Sequence, residues 1–217
     1  MSRANSTGQA PRRSDGARTH AEILEEAMRL ASIEGLGALT VGRLAERAGI
    51  SKSGLYAHFG SKERLQLEVV EAAAEVFRRE VITPGLETPP GLARLEALYE
   101  AYLSYIERGV FPGGCLMAGL VSELDAQTGP LHDMMVAGRR QWEGLVRQVI
   151  AEAVARGDLD PRIDPEQLVF ELDALVDHAN FVYVLYRDPT YLARGRTAMK
   201  ALLSRSRPRR QSPSRSD

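Results

Sequence analysis

The stretch from Thr40 to Lys62, TVGRLAERAGISKSGLYAHFGSK, constrains the fold of this 217-residue chain more than any other. Its first half places Val41, Leu44, Ala45 and Ala48 at i, i+3, i+4, i+7 spacing, so a short helix there has one apolar face. Gly49 follows where the chain must reverse, a position that favours a residue free to take positive φ. Ile50 fills the corner and Ser51 is suited to N-cap a second helix. That helix turns Leu55 and Phe59 inward and leaves Lys52, Ser53, Tyr56 and His58 on other faces. Small Ala45 lets the two helices approach closely. This is the arrangement of a helix-turn-helix, whose second helix enters the major groove of DNA. Between Thr40 and Arg64 five basic residues face two acidic ones, a local net charge of +3 that suits a polyanion. Two short amphipathic helices joined by a Gly turn also occur in proteins that bind no nucleic acid. Pattern and charge favour DNA without requiring it.

The run Ile50-Ser51-Lys52-Ser53-Gly54-Leu55-Tyr56-Ala57-His58-Phe59-Gly60-Ser61-Lys62-Glu63-Arg64-Leu65 closely resembles the recognition-helix signature of the TetR (tetracycline repressor) family. So does Ile23 to Leu44, where a first helix leads through Gly35 and Leu39-Thr40-Val41 into the second. The resemblance is specific from about Arg18 to Val70, roughly a quarter of the chain. Beyond that it rests on helical architecture. It implies a transcriptional repressor that binds a palindromic operator in double-stranded DNA as a homodimer and is released by a small-molecule effector of unknown identity. Carried over by position, it sets Lys52, Ser53 and Tyr56 toward the groove and lets Gly54 bring the helix close to the backbone. Ser51 joins this set, and His58 and Lys62 become phosphate contacts. Thr40 and Arg43 are further phosphate or base-edge candidates. Many family members carry Gly-Thr or Pro-Ala where this chain has Ser53-Gly54, so the base preference stays open.

The formal charge of −1 hides an uneven distribution. Residues 1–21 hold four Arg against one Asp, residues 204–217 hold five Arg against one Asp, and the rest carries a net −8. Basic termini around an acidic body fit arms that touch phosphate, and equally fit solvated tails rich in Ser, Pro, Gly and Arg. One cysteine, Cys115, excludes an intrachain disulfide and fits a reducing compartment. No apolar run approaches the ~20 residues that cross a bilayer, and the N-terminus lacks a signal peptide's apolar segment. The expectation is a cytoplasmic protein without membrane contact.

Helical periodicity without strand alternation predicts an all-α fold of about nine helices, which the resemblance divides into an N-terminal three-helix helix-turn-helix DNA-binding domain and a C-terminal helical ligand-binding and dimerisation domain. Thr19 and Glu22 form a capping box that opens a first helix, ended by Gly35. Ser61 caps a fourth helix to about Val81, and Pro84, Pro89 and Pro90 break it and mark the boundary with the body. The expected organisation is a disordered basic tail (1–18), the DNA-binding domain (19–66), the ligand-binding and dimerisation domain (67–204, with 67–82 as connecting helix) and a second basic tail (205–217). Asp164-Pro165-Glu166-Gln167 is a strong helix start, with Asp at the N-cap and Pro at N1.

In the helix it opens, Leu168, Leu172, Leu175, Ala179, Val182 and Tyr186 recur at 4-3-4-3-4 spacing, the seam of helices at shallow crossing angles. The resemblance implies that the last two helices pair across a two-fold axis, with Leu202 in the other half of the interface. It also implies a pocket in the body, for which Tyr99, Tyr102, Cys115, Met117, Trp142, Phe170, Asp173 and Asp177 are candidates. Asp173 and Asp177 share a helix face (i, i+4) and must be paired if buried, with a cationic ligand or with Arg139 and Arg140. His178 has no second His or Cys at metal-ligand spacing. No catalytic residue, metal or cofactor is expected. An all-helical enzyme, or an interaction module that ignores DNA, is the alternative. Against the enzyme stand the missing Gly-x-Ser-x-Gly, phosphate-loop and His-Glu-x-x-His motifs.

Overall fold

The computed structural model describes residues 13–208, and all secondary structure among them is helical. Helix α1 (Arg13–Glu34) buries Ile23, Ala27, Leu30 and Ala31, one stripe at i, i+4, i+7, i+8. It begins before Thr19, so the Thr19-Glu22 box lies inside the helix and not at its start. Residues 13–18 of the expected tail are helical, because nothing in Asp15-Gly16-Ala17-Arg18 stops a helix that Ala and Glu residues propagate. The rest of the N-terminal tail, and the Arg-rich end from 209, lie outside the described residues. Gly35 closes α1 at φ +85°, donating its N–H to the Ala31 carbonyl at 2.9 Å.

Helices α2 (Val41–Arg47) and α3 (Lys52–Phe59) follow, each with a side-chain cap. Thr40 Oγ1 accepts from Arg43 N at 3.3 Å, and Ser51 Oγ accepts from Gly54 N at 3.0 Å. The turn between them needs Gly49 at φ +66°, and Ile50 N returns to the Ala45 carbonyl at 3.0 Å. Leu44, Ala45, Leu55 and Phe59 are buried with the α1 stripe and with Leu65 of α4 (Lys62–Phe77). Burying each large apolar side chain contributes about 2 kcal/mol, so Leu55 and Phe59 fix which face of α3 is left outside.

The rod begun by α4 does not end at Pro84 but at Leu86, ahead of Pro89 and Pro90. It widens into a π-helical turn (Arg78–Ile82), in which Thr83 N–H bonds to the Arg78 carbonyl, and resumes as α5 (Thr83–Leu86) with Pro84 in its first turn. A proline has no N–H and its ring clashes with the carbonyl four residues back. Pairing five residues apart is the local solution.

The body comprises α6 (Leu92–Glu107), α7 (Leu116–Leu124), α8 (Pro130–Ala155), α9 (Pro165–Tyr186) and α10 (Thr190–Arg205). With α4 and α5 read as one rod, nine rods make up the described residues. Asp164 caps α9 as expected, its carboxylate accepting from Glu166 N and Gln167 N. Among the described helices the pairing of α9 with α10 is the most extensive, and it is close because Gly195 sits against Ala179. A Cβ on Gly195 would lie 2.9 Å from that of Ala179.

This packing changes the reading of the α9 seam. Leu168, Leu172 and Ala179, with Leu202 of α10, are buried within one chain, and Leu175 and Val182 are half-buried. Leu168, Leu172, Ala179 and Leu202, with Leu175 packed against them, belong to the intrachain core and are not a free interface; Val182 is not part of that core. The outward stripe is Phe170, Ala174, His178, Phe181 and Leu185, at 4-4-3-4 spacing, with Tyr186 beside it. Leu185 is 71% exposed and Phe170 68%. A helix apolar on nearly every side carries two overlapping periodic stripes, and periodicity alone does not say which one its own chain covers. Among the described residues no helix is long and apolar enough to cross a membrane.

Candidate DNA-binding face and effector core

With Leu55 and Phe59 anchored, α3 presents Lys52, Ser53, Tyr56 and Ala57 outward, all exposed. Tyr56 is half exposed although aromatic, which costs hydrophobic burial and leaves its ring and hydroxyl available. Ser53 and Ser51 hydroxyls lie 3.0 Å apart, so Ser53 is oriented by the cap. The Lys52 stem runs across Gly42 of α2, where a Cβ would come within 3.1 Å of Cε. Gly42 was not singled out from the sequence. The available signal was a glycine inside a seven-residue helix, unfavourable unless something lies over it.

The other candidates are engaged locally. Thr40 and Ser51 are caps. Arg43 donates to Glu34 at 2.6 Å and Arg47 pairs with Glu26 at 3.3 Å, both at the surface. Exposed pairs of this kind contribute about 0.5 kcal/mol, so a phosphate can replace the carboxylate at small cost. Lys62 donates to the Gly37 carbonyl at 2.9 Å instead of reaching out freely. His58 is half-buried, its ring 5.8 Å from that of His20 and 6.2 Å from that of Phe59. His20 in turn bonds Glu68 at 2.8 Å. The structure therefore splits the set into an outward group (Lys52, Ser53, Tyr56), with Gly54 in the first turn of α3 behind it, and a framing group (Thr40, Arg43, Ser51, His58, Lys62).

In the body, six of the pocket candidates converge: Tyr99, Tyr102, Cys115, Trp142, Asp173 and Asp177. Asp173, only 2% exposed, accepts at Oδ1 from the Tyr99 hydroxyl (2.8 Å) and the Trp142 indole N–H (3.0 Å). Its Oδ2 has no aligned hydrogen bond but lies 2.8 Å from the Arg139 guanidinium, so charge attraction holds it. Arg139 also reaches Asp177 (3.4 Å) and Glu143 (2.9 Å). Tyr102 hydroxyl lies 3.5 Å from Asp177 and 3.2 Å from Cys115 Sγ. Phe77 sets its edge against Tyr102, Tyr105 and Trp142 at centroid distances of 4.9, 6.0 and 5.4 Å. Burial raises the carboxyl pKa of both Asp173 and Asp177, against the pull of Arg139. Burial likewise lifts the Tyr99 and Tyr102 hydroxyls well above their ordinary range.

Cys115 is buried at the N-cap of α7, and burial pushes its thiol up despite bonds from Tyr102 and Ala118. Met117 is half-buried, its methyl 4.0 Å from where a Cβ on Gly138 would sit. Phe170 does not join the cluster. It lies on the exposed stripe of α9, one helical step off the face that carries Asp173. The cluster is packed: a surface cleft lined by Leu92, Glu96, Asp158 and Arg207, and another lined by Glu22, Glu26 and Arg47, both lie outside it. Asn180, buried and bonded to Cys115 N at 2.9 Å, was also missed, since a lone Asn in an apolar helix carries no spacing signal.

Comparison with known proteins matches residues 23–69 to the family described as "Bacterial regulatory proteins, tetR family" and residues 91–199 to "Tetracyclin repressor-like, C-terminal domain". The chain is similar to transcriptional regulator AcuR of Cereibacter sphaeroides, 25% identical over 172 residues that cover 75% of this chain and 78% of that one. It is also similar to the HTH-type transcriptional repressor KstR2 of Rhodococcus jostii, 29% identical over 144 residues, 64% and 69% of the two chains. A TetR transcriptional regulator from Chloroflexus aurantiacus superposes with a TM-score of 0.83 at 23% identity, covering 89% of this chain and 98% of that one. AibR, solved with isovaleryl coenzyme A and operator DNA, superposes at 0.67 with 18% identity, covering 86% and 97%. These two structures establish likeness of fold.

Proposed function

Since the chain belongs to the TetR family of bacterial transcriptional regulators, we propose that it represses transcription as a homodimer whose two α3 helices enter successive major grooves of a palindromic operator. An effector lodging in the body releases it. The observation that carries the DNA reading is the outward group of α3. Lys52, Ser53 and Tyr56 stand exposed on a helix whose other face is locked by Leu55 and Phe59. Lys52 supplies charge, and Tyr56 and Ser53 supply contacts to phosphate or to base edges. The framing group orients α2 and α3, and Arg43 exchanges Glu34 for phosphate.

The second copy is expected on the outward α9 stripe. Phe170, Phe181, Leu185 and Tyr186 are large, apolar or aromatic, and 45–71% exposed on one helix. A contiguous patch of that kind is costly in a monomer and is what a two-fold helix bundle covers. The effector contacts are Tyr99, Tyr102, Cys115, Met117, Trp142, Asp173 and Asp177. Because they are packed together, the effector must displace side chains from the Asp173–Arg139 network, which is how binding comes to favour a second body conformation. The family does not consist of enzymes as a rule, and the buried groups here are spent on one another instead of facing an open cleft.

The test is gel retardation on the DNA flanking the protein's own gene. Binding should be clear at ~50 mM salt and fall by orders of magnitude by ~200 mM. Lys52→Ala should weaken binding about tenfold or more and make the salt dependence shallower by about one counterion. Binding that ignores both salt and Lys52 would remove the reading.

A further inference from the structure

The dipeptide Leu36-Gly37, between α1 and α2, is gripped from two directions. Glu123, in the last turn of α7, accepts from Leu36 N at Oε2 (2.7 Å) and from Gly37 N at Oε1 (2.5 Å). From α4, Gln66 donates to the Leu36 carbonyl (2.9 Å) and Lys62 to the Gly37 carbonyl (2.9 Å). All four backbone polar groups therefore meet side chains, and Glu123 is the one that comes from the body. The carboxylate fits because glycines flank it: a Cβ on Gly35 or Gly37 would lie 2.9 Å from Oε2 or Oε1 respectively. A two-oxygen carboxylate taking two N–H donors is a strong, geometrically specific pairing.

The opposite end of α7 is tied as closely. Asn180 of α9 accepts from Cys115 N at 2.9 Å, and a Cβ on Gly114 would stand 2.4 Å from that Asn180 oxygen. At Gly113 the entering loop lies on the end of α1, where a Cβ would come 1.7 Å from the Ser32 carbonyl oxygen. Helix α7 is thus a strut of nine residues, about 13 Å long, fastened to α9 at one end and to the α1–α2 loop at the other.

We propose that Glu123 is the positioning residue through which α7 carries a shift of α9 to the reading head. Asn180 lies one turn beyond Asp177 on α9, so a rearrangement around Asp173 and Asp177 displaces the near end of the strut. Its far end then draws Leu36-Gly37 and, through α2, re-aims α3. Shared packing supplies the chain of contacts that a coupling of this kind requires. The inference rests on the regulatory reading above for its consequence at DNA, but the grip itself is measurable without DNA.

The experiment is a double-mutant cycle in the full-length protein with Glu123→Ala, Asn180→Ala and both together, plus Glu123→Gln. Helix content and oligomeric state are checked first, and Asn180→Ser replaces Asn180→Ala if helicity drops. Amide hydrogen exchange at Leu36 and Gly37 should rise tenfold or more in Glu123→Ala. In Glu123→Gln, whose carboxamide has one acceptor oxygen, it should rise mainly at one of the two. Asn180→Ala should raise exchange at both amides when Glu123 is present and add less than twofold when it is not. Its effect on Kd for the DNA flanking the gene should be fivefold or more with Glu123 and under twofold without. Equal factors in both backgrounds would overturn the strut and place the coupling in α4, and unchanged exchange in Glu123→Ala would overturn the grip. Absence of DNA binding by the unmodified protein would fail the regulatory reading and leave the exchange cycle to judge the strut.

Discussion

Asp173 carries a carboxylate into a space walled by Tyr99, Trp142 and Phe77, and a single guanidinium from Arg139 answers it, Asp177 and Glu143 together. Burial raises the pKa of both aspartates above the ordinary 3.8. Between that value and the raised folded value, the native state binds more protons than the unfolded chain. The contribution of these groups to stability therefore grows as pH falls through that window and is withdrawn as pH rises out of it. The groups facing them are Arg139 and Glu143 of α8, Tyr99 and Tyr102 of α6 and Cys115 before α7. Urea unfolding at several pH values should show this rise in the unmodified protein and a flatter profile in Asp177→Asn. A Cys115 thiol pushed up by burial should react slowly with thiol reagents in the native state, and at an ordinary rate once unfolded. At this scale the sequence was legible where a rule has one outcome. An i, i+4 acidic pair in an apolar helix must find a cation, and Arg139 is there. Phe170 was misplaced because an aromatic beside a buried aspartate obeys the same spacing whether it faces the core or a second chain. Glu123 left no trace at all, since its partners are backbone amides 87 and 86 residues away.

Among the elements, the two shortest head helices were the most readable, because their boundaries have their own chemistry: Thr40 and Ser51 as caps and Gly49 as the positive-φ turn between them. Pro84 was less so. It signals that the ordinary ladder must fail nearby, but whether the chain then turns away or widens by one residue depends on what packs alongside, here α6. Replacing it tests that account: Pro84→Ala should let the rod return to regular helix, lose its π turn and shift the α5–α6 contact, visible in the amide chemical shifts of Arg78 to Leu86. Gly113 makes a sharper demand. With a Cβ 1.7 Å from the Ser32 carbonyl oxygen, Gly113→Ala forces α1 and the loop before α7 apart. The expected cost is about 2–3 kcal/mol, a fall in Tm of roughly 5–10 °C in thermal unfolding.

For the molecule as a whole, the exposed α9 stripe decides what the functional particle is. Phe181→Glu with Leu185→Glu should leave helix content intact and convert the dimer to monomer at about 10 μM in sedimentation. DNA affinity should then fall by 100-fold or more, because each reading head must bind alone. A dimer that survives both charges would place the two-fold elsewhere. The cationic helix-turn-helix stretch and the acidic body were plain from charge along the chain, whereas the proposed route between them was not, being built on backbone amides far away in sequence. The Trp142 indole, which donates to Asp173 and meets the ring of Phe77 nearly at right angles, belongs to the chain's single tryptophan. Its ultraviolet fluorescence is consequently a built-in optical gauge of the proposed effector core, readable on unlabelled material and silenced by one exchange to phenylalanine. Candidate metabolites can be ranked by the colour and yield of that light before any operator sequence is known.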